Sequence, residues 1–329
     1  MPTDVTVKLD DRARLLSAAL AVTRYPEHAQ KRRPHGTHAH ARATIKQLAP
    51  LADHPAILDL QGLLDQGAPL EALFTLIMTA RPPDLTIERP PRWMPPNWGE
   101  KLRDFMDRAA LSAWWKSEEA AWNSAREDAG RMFASVSFKP FLRPFVGEIM
   151  ETLVFIPNIT YPTDQELGLR LGRDLTCIAP PRLAWGDSPP WPYDEDPTHI
   201  YRAALTQYAK MLMIGYLRAH ADVVAEASKQ PIQIGDAGRA KYPTWQDQFV
   251  VLFVAGAVAI FLEDHVNKAE ADAYVLIERK TNNLGVLPAV IKVLRRYLTE
   301  RESGKFDTLL DFLPVFPKQL RVTTKIQSL

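Results

Sequence analysis

Fourteen consecutive residues, Phe249 to Leu262, carry no polar side chain. Wound as a helix, FVVLFVAGAVAIFL is apolar on every side, so other elements must surround it. The run is short of the ~20 residues needed to cross a bilayer, so the expectation is a buried central helix. The rest of the chain fits a soluble protein. Of its 329 residues 46% are hydrophobic and 24% charged, a balance that excludes global disorder. Lys and Arg number 40 against 39 Asp and Glu, which leaves no general field for a polyanion, and nucleic acid is not an expected partner. One cysteine, Cys177, excludes an intramolecular disulfide framework and a Cys-rich zinc site. The opening MPTDVTVKLDDRARLL has neither the basic start nor the apolar run of a signal peptide. A cytoplasmic protein with no membrane partner is therefore expected.

Helical spacing dominates. Asp10-Asp11 predicts a cap for a helix carrying Leu15, Leu16, Ala19 and Leu20, and further helices are predicted over 41–49, 56–64 and 70–79, with Pro69 at the first position of the last. The segment 81–98 holds six prolines and reads as an ordered extended connection pinned by Trp93, Met94 and Trp98. Helical character resumes over 100–134. Strand character is confined to ETLVFIPNI (151–159) and DLTCIA (174–179), followed by a proline-rich loop, 184–197. Helices are then predicted over 198–228, 245–263, 268–282 and 287–302, with a terminal piece at 306–320. The predicted class is α+β, predominantly helical, with a small sheet. The proline-rich stretch suggests a front region, 1–98, and a rear region, 99–329, separate or continuous.

Motifs for chemistry are sparse. His35, His38 and His40 have chelating proximity, but Lys31, Arg32 and Arg33 oppose a cation there, and a solvated loop is the better reading. His54 in DHPAI suits a turn that starts a helix. His199, His220 and His265 do not form an H-x-x-x-H pair. The acids of YDEDP fail the twelve-position calcium template and suit the N-terminus of the following helix. Gly168 and Gly172 form no phosphate loop, and Cys177 reads as buried and inert. One segment stands out, AALTQYAKMLMIGYL (203–217). Its Thr206, Gln207 and Lys210 make a narrow polar stripe on an otherwise apolar helix, with Gln248 at the start of the all-apolar helix downstream.

Several stretches, taken in order, resemble a family of uncharacterised bacterial proteins related to gluzincin-type zinc metallopeptidases. They are LADHPAILDLQGLL, KLRDFMDRAALSAWWKSEEAAWNSA, FVGEIMETLVFIPNI, DLTCIAPP, FVVLFVAGAVAIFLEDH and KFDTLLDFLPVFPKQL, and together they span most of the chain. The resemblance implies a zincin-like helical core with a small sheet, and a zinc helix of the form H-E-x-x-H. Laid on that pattern, Thr206 stands at the first histidine, Gln207 at the glutamate, Lys210 at the second histidine and Gln248 at the third ligand. Threonine is a poor ligand, glutamine cannot take a proton, and an ammonium repels zinc. The resemblance thus implies a pseudoenzyme without metal, cofactor or catalytic residues, whose vestigial cleft either binds a peptide or small ligand or is simply filled. Two other readings follow from the residues alone. One is a hydrolase using Asp194, Glu195, Asp196 and His199. The other is an interaction module using the eight tryptophans and the proline-rich segments.

Overall fold

The two β-branched runs at 151–159 and 174–179 become the middle of a sheet, because neither has a polar face to give to water. We describe a computed structural model that covers residues 3–32, 39–160, 165–182 and 191–327. In chain order the elements begin with β1 (Val5–Val7), α1 (Asp11–Ala21), α2 (Tyr25–Arg32), α3 (Ala39–Leu48), α4 (Pro55–Asp65) and α5 (Leu70–Thr79). Then come α6 (Trp98–Arg108), α7 (Leu111–Ser117), α8 (Glu119–Ala134), α9 (Phe138–Val146), β2 (Thr152–Pro157), β3 (Leu167–Leu171) and β4 (Asp174–Ala179). The rear of the chain is helical: α10 (Pro197–Ala219), α11 (Ala221–Ala227), α12 (Asp236–Lys241), α13 (Trp245–His265) and α14 (Lys268–Thr281). It ends with α15 (Leu287–Glu302), α16 (Leu309–Phe312) and α17 (Phe316–Gln327). The protein is predominantly helical with a small mixed sheet, an α+β class.

The chain divides into two units, Met1–Ser135 with Glu151–Ala203, and Val136–Met150 with Ala204–Leu329. The proline-rich stretch 81–98 lies inside the first unit, so the division does not fall at 98/99. α10 starts in the first unit and continues into the second.

In the first unit the sheet order is β1-β2-β4-β3, with β1, β2 and β4 parallel and β3 antiparallel at the edge. β2 is buried from Leu153 to Pro157 and β4 from Leu175 to Ala179, as strands covered on both faces must be. Val154, Ile156, Leu167, Leu169 and Ile178 belong to a core with Leu16, Leu20, Leu60, Phe74, Leu102 and Phe105, from α1, α4, α5 and α6. On the other face Phe133 of α8 meets Phe155 edge-on at 4.9 Å, and the Cys177 thiol donates to the Ala203 carbonyl at 3.6 Å. β3 and β4 are joined by a tight turn in which Gly172 has φ 62°, a conformation that a β-carbon would strain.

The proline-rich connection is ordered, and two of its three expected anchors are modest. Trp98 is fully buried and its indole N–H donates to the Ala56 carbonyl at 3.2 Å, whereas Met94 is half-buried and Trp93 is 44% exposed. Leu85, φ 52°, supplies a buried contact instead, and a β-carbon on Gly99 would stand 2.3 Å from its carbonyl oxygen. The helical character expected over 100–134 is divided among three helices, with Ala110 in the left-handed region between α6 and α7. The break lets Leu111 and Trp115 turn into the core.

In the second unit α13 is buried from Gln248 to Leu262 apart from the half-buried Val251. Aromatic rings surround it. Phe145 of α9 lies 5.1 Å from Phe253, Phe138 lies 5.0 Å from Phe261, and Phe316 of α17 lies 5.0 Å from Phe249. α13 is also long and apolar enough to cross a membrane by length and composition. A core helix passes the same test, and 78% of its most apolar window is buried here.

Candidate functional site

The stripe on α10 keeps its predicted helical spacing. Thr206 and Gln207 are half-buried among buried Leu205, Tyr208 and Ala209, and Lys210, one turn on, is exposed. Gln248 is buried, and its amide N–H donates to the Tyr242 carbonyl at 3.0 Å, tying the start of α13 to the segment before it. No side-chain hydrogen bond or ion pair joins any two of these four residues among the described residues.

Asp194 and Asp196 are held by different arginines. Asp194 binds the Arg131 guanidinium at 2.6 Å, while Asp196 binds Arg182 at 2.7 Å and accepts the His199 backbone N–H at 3.0 Å, capping α10. His199 directs Nε2 at the Pro180 carbonyl, 2.9 Å away, so that nitrogen carries the hydrogen. Burial and the Arg202 guanidinium hold this imidazole below its ordinary value. Glu166, before β3, pairs with Arg202 at 2.9 Å; burial pushes its carboxyl up, but Arg202, a backbone hydrogen bond and His199 together leave it below its ordinary value. Cys177 is fully buried, and burial, reinforced by Glu166, raises its thiol well above the usual range. A thiolate nucleophile is not formed there. Asp194, Asp196 and the His199 ring thus each have a structural partner.

His54 is the expected turn residue. Its Nδ1 accepts the Ala56 N–H at 3.2 Å at the start of α4, and its Nε2 donates to Asp104 at 2.9 Å. His40 binds Glu118 through Nδ1 at 2.9 Å, and His35 and His38 lie outside the described residues. Among the described residues no three His, Cys, Asp or Glu side chains are grouped to hold a metal ion.

Sequence reasoning missed a cleft of about 170 Å³ in the first unit. One wall is a face of α8, Ala121, Ser124, Ala125 and Asp128, at i, i+3, i+4 and i+7. His40, Ile159, Pro181, Trp191, Pro192 and Tyr193 complete it. Tyr193 is fastened there, its phenol donating to the Ala179 carbonyl at 2.7 Å and accepting the Asn158 N–H at 3.2 Å. Asp128 is buried beside Arg131; burial and the charge of Asp194 push its carboxyl upward. The four-residue spacing of small side chains in EAAWNSAREDAG was visible in the sequence, but nothing there marked which face of the helix would stay uncovered. Comparison with protein-family models, with curated proteins and with solved structures gives no match to this chain.

Proposed function

We propose that this protein is a non-catalytic, metallopeptidase-like chain that retains a zincin-like scaffold and binds a peptide or small ligand instead of hydrolysing one. The observation that supports this most is the unbroken helical geometry of α10 through Thr206, Gln207 and Lys210. Helical spacing at i, i+1 and i+4 is what an H-E-x-x-H motif uses, and here its three positions hold a hydroxyl, an amide and an ammonium. A hydroxyl is a weak neutral ligand, an amide cannot act as general base, and an ammonium repels a divalent cation. The mixed sheet with one antiparallel edge strand, followed in the chain by this helix, agrees with the same reading.

The test is to rebuild the motif. Thr206→His with Gln207→Glu and Lys210→His should bind cobalt(II), seen by its visible absorption, and adding Gln248→Glu should tighten binding by about tenfold, as a further ligand does. The unaltered chain should hold no stoichiometric zinc by elemental analysis. About one zinc per unaltered chain, or no gain from Gln248→Glu, would defeat the reading.

A further inference from the structure

We propose that the cleft over Ser124 and Asp128 binds one alkylammonium or alkylguanidinium group, carried by a free amine or by a Lys or Arg side chain of a peptide. The argument uses only the first unit and is independent of the stripe on α10.

Size comes first. A cavity of ~150 Å³ admits a benzene-sized molecule, so a cleft of about 170 Å³ has room for one side-chain-sized group. That room exists because α8 presents Ala121, Ser124 and Ala125 rather than large side chains. Ile159, Pro181, Pro192 and the Trp191 ring offer an apolar surface to an alkyl stem.

The polar groups then select the head. Asp128 has a side chain only 8% exposed. Arg131 holds its Oδ1, while among the described residues Oδ2 has only the Ser124 hydroxyl, at a long 3.5 Å, and so keeps accepting capacity. The His40 ring is bonded to Glu118 through Nδ1, and among the described residues its Nε2 has no hydrogen bond. Glu118 Oε2 is itself buried with no hydrogen-bond partner among the described residues. Arg131 bridges Asp128 and Asp194, so one guanidinium faces two carboxylates and a negative charge is left over. Arg182, 5.0 Å from the Trp191 ring centroid, is occupied by Asp196. An anion would meet Asp128, a neutral alcohol would leave the excess charge uncompensated, and a metal ion lacks a third ligand. An organic cation satisfies both charge and donors. The location fits as well, since Ile159 and Pro181 each lie two residues past the carboxyl ends of the adjacent parallel strands β2 and β4, where open parallel sheets leave ligand crevices.

Calorimetric titration of the full chain with n-butylammonium, n-butanol and butyrate tests this. Butylammonium should saturate in the millimolar range while the alcohol and the acid do not. Asp128→Asn should weaken it by about tenfold, the loss of a charge-assisted hydrogen bond, and Trp191→Ala, at an exposed position, by about threefold. If Asp128→Asn lacks a cooperative melt, Trp191→Ala decides. A capped lysine peptide binding more tightly than butylammonium, with its Nε-acetylated form inert, supports the site with a peptide as source; equal binding supports it with a free amine as source. Absence of saturation, equal binding of butanol, or unaltered affinity in folded Asp128→Asn overturns the proposal.

Discussion

At the scale of single residues, histidines here act as connectors. His54 was legible from DHPAI, because proline suits the first helical position and the amide after it, that of Ala56, needs an acceptor from the cap residue, which the ring supplies. Its second bond, to Asp104, was not legible, because that partner lies 50 residues away. Removing the ring should therefore cost more than removing the partner. His54→Ala is expected to lower unfolding free energy by about 2 kcal/mol, a lost cap plus a lost partly buried bond, and Asp104→Asn by less. Urea unfolding of both variants checks the order. His199 carries a pH effect. Its folded imidazole lies below the ordinary 6.5, held there by burial and by Arg202, with Glu166 and Asp196 acting in the opposite direction. The unfolded chain takes up a proton near pH 6.5 and the native chain only further down, so stability falls as pH drops below 6.5 and is complete above it. Glu166, depressed below the ordinary 4.5, adds its own loss only at more acid pH. Between about pH 7 and pH 5 the urea midpoint of the wild type should fall more than that of His199→Gln. Equal falls would assign the effect to other groups.

Among elements, α13 is the clearest case of sequence dictating structure. Its apolar surface required cover on every side, and the cover is the aromatic ring set of α9 and α17 together with α15. Val258 is wholly buried, whereas Leu276 on α14 is 49% exposed. A carboxylate at Val258 has neither water nor a partner, so Val258→Asp should abolish a cooperative thermal transition in the second unit, while Leu276→Asp stays within ~0.5 kcal/mol of wild type. Gly256 is tighter still, since a β-carbon there would lie 2.7 Å from Leu294 Cδ1 and 3.0 Å from Val290 Cγ1. The short strands were harder to see. β2 and β4 appeared as apolar runs, but β1 (VTV) and β3 (LGLRL) alternate over only three and five residues, too short a stretch to register. The breaks at Ala110 and at His220 were likewise invisible, because good helix formers flank both and only tertiary packing decides where such helices turn. Pro69 takes the cap position itself rather than the first helical position, a shift of one residue.

For the whole molecule, charge is the property most open to measurement. Near-balance of 40 basic and 39 acidic residues leaves little mutual repulsion, and the sequence isoelectric point is about 7.9. Solubility of the purified chain should pass through a minimum near that pH, measured by precipitation with polyethylene glycol, and should rise on either side. A flat profile would point to a surface charge distribution unlike the overall count.

What the amino-acid order determined unaided is local or compositional: the helical class, most helix limits, the strands β2 and β4, the cap at His54, the buried state of Cys177 and the central place of α13. These depend on periodicity, capping chemistry and the absence of polar atoms, all of which act within a few residues. Tertiary structure alone decided that 136–150 joins 204–329 in one unit, that Asp194 and Asp196 pair with different arginines, and that one face of α8 lines a cleft with Trp191. Those outcomes depend on which distant surfaces meet, and a side chain's neighbours across space leave no periodic trace along the chain.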